Sequence, residues 1–247
     1  MDVDYAYSLG ADCFSLAPKD QPALKECNCH LDNMGSIYAE DKYNEKRDPP
    51  IVVGKLQQPQ QFDKLDFSAV DVLIKTAGED TYNVPVELSC LQETIQMAID
   101  FFHANHPAAA RDFYCYVRPS STVIPPSGCQ RYKWIHADGL LGMKHKNSDG
   151  TYNKKLSYNF TVFNELSTEF FIQPLDVSSL DVCTHDYTKF FEQNVDKSKA
   201  IAPQKSYEMA CFDGYTLHRS PINRTDQVVH RKFVTVNFAP YLYDGWG

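Results

Sequence analysis

Apolar side chains recur at three- and four-residue steps through one stretch of the chain: Leu88, Leu91, Ile95, Ile99 and Phe102. That spacing lays them on one stripe and predicts an amphipathic helix over residues 86–105. Asn83 or Thr81 can cap its start, Pro85 suits its first turn, and Pro107 stops it. His103 and His106 fall at the helix end, where a protonated imidazole meets the dipole favourably. A second, shorter helix is expected around Tyr187 to Asn194.

From about residue 112 onward the pattern changes to short runs rich in Tyr, Phe, Val and Thr, parted by Pro, Gly, Asn and Ser. Phe113–Arg118, Arg131–His136, Leu156–Phe163, Glu169–Gln173, Tyr207–Phe212, Thr216–His218 and Lys232–Phe238 read as strands. Many short strands after one good helix predict a mostly β fold: a double-stranded β-helix (jelly roll) core over residues 110–240 with flanking α-helices. Residues 1–60 show no sustained period and are punctuated by Pro18, Pro22, Pro49, Pro50 and Pro59. They read as an irregular N-terminal extension that covers the core or contributes to a substrate lid. The whole span 1–247 reads as a single domain.

Composition excludes some classes. With 43% apolar and 13% aromatic residues the chain can bury a sizeable core. A net charge of −8 argues against a broad grip on nucleic acid. No apolar run approaches the roughly 20 residues of a membrane helix, so no membrane partner is expected. The acidic start Met1-Asp2-Val3-Asp4-Tyr5 does not read as a secretory signal, which points to a cytoplasmic protein whose eight cysteines are reduced thiols. Cys27-Asn28-Cys29-His30 resembles metal-binding spacing, but only Cys13 lies near it and structural zinc needs a second ligand pair. No Gly-rich phosphate loop or Gly-x-Ser-x-Gly elbow occurs, and nothing marks Cys13 as an activated nucleophile.

One constellation carries chemistry. Tyr132-Lys133-Trp134-Ile135-His136-Ala137-Asp138-Gly139 places a His-x-Asp at the end of a predicted strand, where residues two apart share a face. Downstream, Thr216-Leu217-His218 offers a second histidine. Two histidines and one carboxylate on one face of an octahedral ion leave three positions open, as in non-haem iron(II) oxygenases. His30-Leu31-Asp32 has the same spacing but lies in the irregular region. Beyond His218 the chain runs Arg219-Ser220-Pro221-Ile222-Asn223-Arg224-Thr225, then Arg231-Lys232-Phe233-Val234-Thr235-Val236-Asn237-Phe238. A cation opening that last strand could pair the far carboxylate of a keto acid that chelates the metal. Arg231 is the better candidate; Lys232 would flip every side chain on the strand. Arg219 and Arg224 read as exposed turn residues, and Trp134 as core packing.

On these residues the chain resembles the iron(II)/2-oxoglutarate-dependent dioxygenase superfamily. His218-x-Ser220-x-x-Asn223-x-Thr225 followed by Arg231 is similar to its phytanoyl-CoA hydroxylase-like branch. The resemblance covers roughly residues 130–240. It implies that His136, Asp138 and His218 bind Fe(II), and that Arg231 anchors 2-oxoglutarate. Many members place a serine two residues after that arginine; here the position is Phe233, and Thr235 on the same strand face could supply the hydroxyl. Tyr158 and Asn159 either touch 2-oxoglutarate or serve structure alone. The implied reaction consumes O2, releases succinate and CO2, and hydroxylates a C–H bond of a small molecule or an amino-acid side chain. Asp138 favours hydroxylation, because halogenating relatives carry a small residue there. Two other classes stay open: a cupin-like metalloprotein that does not use 2-oxoglutarate, and a non-catalytic jelly-roll binding module.

Overall fold

The computed structural model describes residues 12–20, 42–43, 49–107, 110–131, 133–138, 157–176, 187–214, 216–240 and 242. The Cys27–His30 segment lies outside them. In chain order the strands are β1 Cys13–Leu16, β2 Lys42–Tyr43, β3 Ile51–Lys55, β4 Val72–Lys75, β5 Tyr82–Pro85, β6 Tyr114–Ile124, β7 Tyr158–Phe163, β8 Glu169–Phe170, β9 Leu175–Asp176, β10 Glu208–Asp213, β11 His218–Arg219 and β12 Val229–Ala239. The α-helices are α1 Pro59–Phe62, α2 Gln92–Asn105 and α3 Tyr187–Asn194. The protein is mostly β, built on one large antiparallel sheet of order β3-β10-β7-β12-β6-β4.

Strict alternation along β12 explains how that sheet separates two environments. Val234, Val236 and Phe238 enter one face, and there they join Cys115, Val117, Phe160, Val162, Met209 and Cys211 from neighbouring strands. The α2 stripe closes over this face, with Leu88, Leu91, Ile95, Ile99 and Phe102 all at 0% exposure. Phe102 stacks on Phe238 with ring centroids 4.0 Å apart and planes 14° apart. The alternate residues Arg231, Phe233, Thr235 and Asn237 occupy the opposite face, beside Asn159, Thr161 and Phe163 of β7.

A second ladder crosses that opposite face. Ile201 pairs with Phe170, Phe170 with His218, and His218 with His136. Phe212 of β10 ties the two together, its ring 4.9 Å from Phe170 and 5.1 Å from His218.

Several expectations change in the structure. The predicted helix opens as a 3-10 turn over Val86–Leu91, and α2 begins at Gln92. The tighter turn aligns residues three apart, which buries Leu88 and Leu91 together. Asn83 does not cap it: it sits in β5, accepting a bond from Ser15. β3 and β4 were not legible, yet both edges of the large sheet come from them. Neither run alternates, because Ile51–Lys55 is interrupted by Gly54 and Val72–Lys75 is buried almost throughout. Arg131–His136 forms no strand; only His136 pairs. Trp134 is 46% exposed rather than core, with the Lys133 ammonium 4.8 Å from its ring centre. α3 falls where the sequence places it. Among the described residues no helix is long and apolar enough to cross a membrane.

His106 departs from its dipole role. It is buried against Tyr158 and Phe102, with ring centroids 4.6 and 5.1 Å away, and burial pulls its pKa down to about 4. The folded state therefore holds it neutral while the unfolded chain protonates near the ordinary value of about 6.5. Stability from this group is complete above that value and is lost as the pH falls toward 4. Urea midpoints at pH 7 and pH 5 will show it: His106→Phe is expected to lose less stability over that interval than the parent. An equal loss in both would remove His106 as a contributor.

Candidate metal centre

Backbone pairing builds the site. His136 and His218 exchange both main-chain bonds, N–H to C=O, each at 2.9 Å. That narrow pair sets the imidazoles side by side, ring centroids 4.4 Å apart. Asp138 follows His136 after one residue, at a turn and not on a strand as the spacing implied. Its Oδ1 lies 3.7 Å from His136 Nε2 and its Oδ2 lies 3.7 Å from His218 Nε2. One ligand atom from each residue falls within 4.8 Å of the others, a geometry that could hold a metal ion.

The imidazoles are oriented for that task. His136 Nδ1 is 2.9 Å from Trp134 O, and His218 Nδ1 is 2.8 Å from Thr216 O. A carbonyl can only accept, so each Nδ1 carries the proton and each Nε2 offers a lone pair toward Asp138. Burial, with His218 beside it, pulls His136 down to about 4, so it is neutral near pH 7. Burial pushes the Asp138 carboxyl up, but its coupling to the adjacent His218 and His136 and to the charges of Arg118 and Arg131 outweighs this and holds the group below the usual carboxylate value.

A buried amide relay fixes Asp138. Asn159 Nδ2 donates to Asp138 Oδ2 at 3.1 Å, and Asn237 Nδ2 donates to Asn159 Oδ1. The two asparagines face one another in the β7–β12 register. Tyr158 lies on the other face of β7, in the aromatic cluster of Phe102, His106 and Phe113, which separates it from the trio.

The register also settles which cation turns inward. Lys232 reaches outward to the carbonyl of Asp63, while Arg231 is 1% exposed. Its Nε donates to the carbonyls of Glu165 and Leu166 at 3.1 and 2.9 Å, and Nη1 bonds Gln130 Oε1. Leu166 adopts a left-handed φ of 59° in this loop, strain that a non-glycine residue rarely carries. Nη2 is buried with no partner, and among the described residues no carboxylate pairs with this guanidinium. Burial pulls it down to about 9, still charged at neutral pH. Phe233 fills the position where the resemblance expects a hydroxyl, its ring centre 4.5 Å from the guanidinium carbon. Thr235 lies two residues further along, opposite Thr161 and Arg118.

Arg219 is buried, not exposed: its Nε donates to Glu169 Oε2 at 2.7 Å, and Arg224 Nη1 donates to Oε1 at 2.6 Å. The β8–β11 register places Arg219 opposite Glu169, which no local pattern reports. Arg118 was also missed; only pairing puts it opposite Thr235, on the sheet face whose Asn237–Asn159 relay reaches Asp138.

No protein-family model matches the chain, and no curated protein matches it. Among solved structures it is similar to EvdO2 from Micromonospora carbonacea var. aurantiaca complexed with 2-oxoglutarate, at 15% identity over 73% of this chain and 79% of that one, TM-score 0.39. It is also similar to IDO from Bacillus thuringiensis, at 10% identity over 74% and 81%, TM-score 0.40. EvdMO1 matches at 16% identity over 60% of this chain, which spans only 31% of that chain, TM-score 0.34. Overlaps this loose leave the chemistry to be read from the chain's own residues.

Proposed function

We propose that this protein is an iron(II)- and 2-oxoglutarate-dependent oxygenase that hydroxylates a C–H bond, with a double-stranded β-helix formed by the large sheet and the ladder facing it. The observation that carries this reading is the trio itself: two Nε2 lone pairs and one carboxylate converge, with both Nδ1 atoms tied to carbonyls. Such a donor set fits a divalent ion with open positions, and His136, Asp138 and His218 would hold it. The metal with 2-oxoglutarate supplies the activation of O2, the keto acid leaving as succinate and CO2. The chain's own part is positioning. The Asn237–Asn159 relay holds Asp138 at one angle, and the two carbonyls hold the imidazole planes. Arg231 brings an uncompensated buried charge with one idle donor, the condition in which a carboxylate partner is most strongly favoured.

The test is anaerobic titration of the iron(II)-loaded protein with 2-oxoglutarate, followed by the visible charge-transfer band of keto-acid chelation. A saturable band is expected, and Arg231→Gln should raise the apparent Kd by about 10- to 100-fold, the worth of one charge-assisted pair. The Phe233 ring on Arg231 favours a second reading, a metal-dependent protein of the same barrel type that does not use 2-oxoglutarate. Iron binding without a band would select it, and absence of both would leave a non-catalytic binding module.

A further inference from the structure

We propose that Arg118 captures the carboxylate of a small organic acid beside the metal trio, which makes small carboxylic acids the substrate class. This rests on the oxygenase reading above. The position comes from register. On β6, Tyr116 faces Asn237 and Arg118 faces Thr235, so Arg118 stands one same-face step from the row whose amides lead to Asp138. One such step is about 7 Å of strand, whereas Arg231 lies six residues from Asn237, about 20 Å of strand. On this face of β6 and β12, Arg118 thus lies nearer to that row than Arg231 does.

Its bonding leaves room for a ligand. Among the described residues the guanidinium makes one bond, from Nη2 to Asp71 Oδ2, and its Nε is buried without a partner. A guanidinium offers five N–H groups in a planar fork that matches a carboxylate. The side chain keeps 27% of its exposure, so an acid can approach it from solvent. Arg131, exposed, adds a second charge whose field reaches both His136 and Asp138. Two arginine fields therefore converge on this site in a chain of net charge −8, a local focus for an anion. Asp71 balances the Arg118 charge in the absence of a ligand.

The same carboxylate chemistry could belong to the substrate or to 2-oxoglutarate, and one experiment separates them. The whole iron(II)-loaded protein is titrated without oxygen with 2-oxoglutarate. It is then titrated with the free L-amino acids, each set against its own C-terminal amide, followed by perturbation of the charge-transfer band and by thermal shift. The expected result is that some free acids bind and their amides do not. Arg118→Gln should weaken that binding by about 10- to 100-fold while leaving 2-oxoglutarate within about twofold. Asp71→Asn removes the same ion pair but keeps the guanidinium, so it should bind the acids as well as the parent or better. Were Arg118 merely structural, Asp71→Asn would fail alongside Arg118→Gln, and that result overturns the proposal. So does any panel in which acids and amides bind alike, or in which no acid binds. If Arg118→Gln weakens 2-oxoglutarate and Arg231→Gln does not, the captured carboxylate is the co-substrate's own and the substrate assignment falls. A parent with no band sinks the oxygenase reading separately, and thermal shift then still judges Arg118.

Discussion

His218→Ala is expected to abolish stoichiometric iron binding while leaving the fold intact. The substitution deletes one Nε2 and the bond from Nδ1 to Thr216 O, but the main-chain pair between residues 136 and 218 uses no side-chain atom. The strand pairing that shapes the site therefore survives. Removing an outer partner of a metal ligand costs roughly 10- to 100-fold in affinity, and removing the ligand itself should exceed that. Two donors would remain, His136 and Asp138, too few to hold the ion through desalting. Iron content after gel filtration, read beside the far-ultraviolet circular dichroism, decides the matter. A folded variant that retains one iron per chain would mean that the metal, if bound, sits elsewhere.

The largest stability effect is expected at Phe102. It is fully buried, stacked on Phe238, and its ring lies 5.2 Å from Phe113 and 5.6 Å from Tyr158. With Phe101, whose ring packs on Phe160, it joins α2 to the large sheet. Phe102→Ala removes that contact and leaves a cavity that stiff neighbouring rings cannot close, costing about 3–5 kcal/mol. For a chain of this size that is roughly 6–20 °C in Tm. Val123→Ala, on the same sheet but 56% exposed, should change little. Differential scanning calorimetry of the three proteins checks both. A small loss at Phe102 would mean that α2 is not a main support of the sheet.

The depth at which the site was legible differs from residue to residue. Periodicity reports local burial, so α3 and the α2 stripe could be read directly, as could most strands from β6 onward. β3 and β4 could not, since a strand buried on both faces or broken by glycine loses the alternation that marks it. Spacing nominated His136, Asp138 and His218, but for a reason the structure replaces: a shared strand face was expected, and a single bridge followed by a turn does the work. Asn159 was nominated together with Tyr158, and only the pairing of β7 with β12 parts them.

By itself, then, the sequence determined what is local: the apolar stripe of α2, the helix α3, the strand-rich second half, the donor chemistry of two histidines and a carboxylate, and a cation at the head of the last strand. The tertiary structure decided what is paired. It set His136 against His218 across 82 residues and Asn159 against Asn237 across 78, turned Arg231 inward and Lys232 outward, and aligned Arg118 with the row beside Asp138. The physical reason is that a strand's side chains alternate regardless of partner, so sequence shows that two faces exist. Register, fixed by hydrogen bonds between distant segments, determines which residues meet on them.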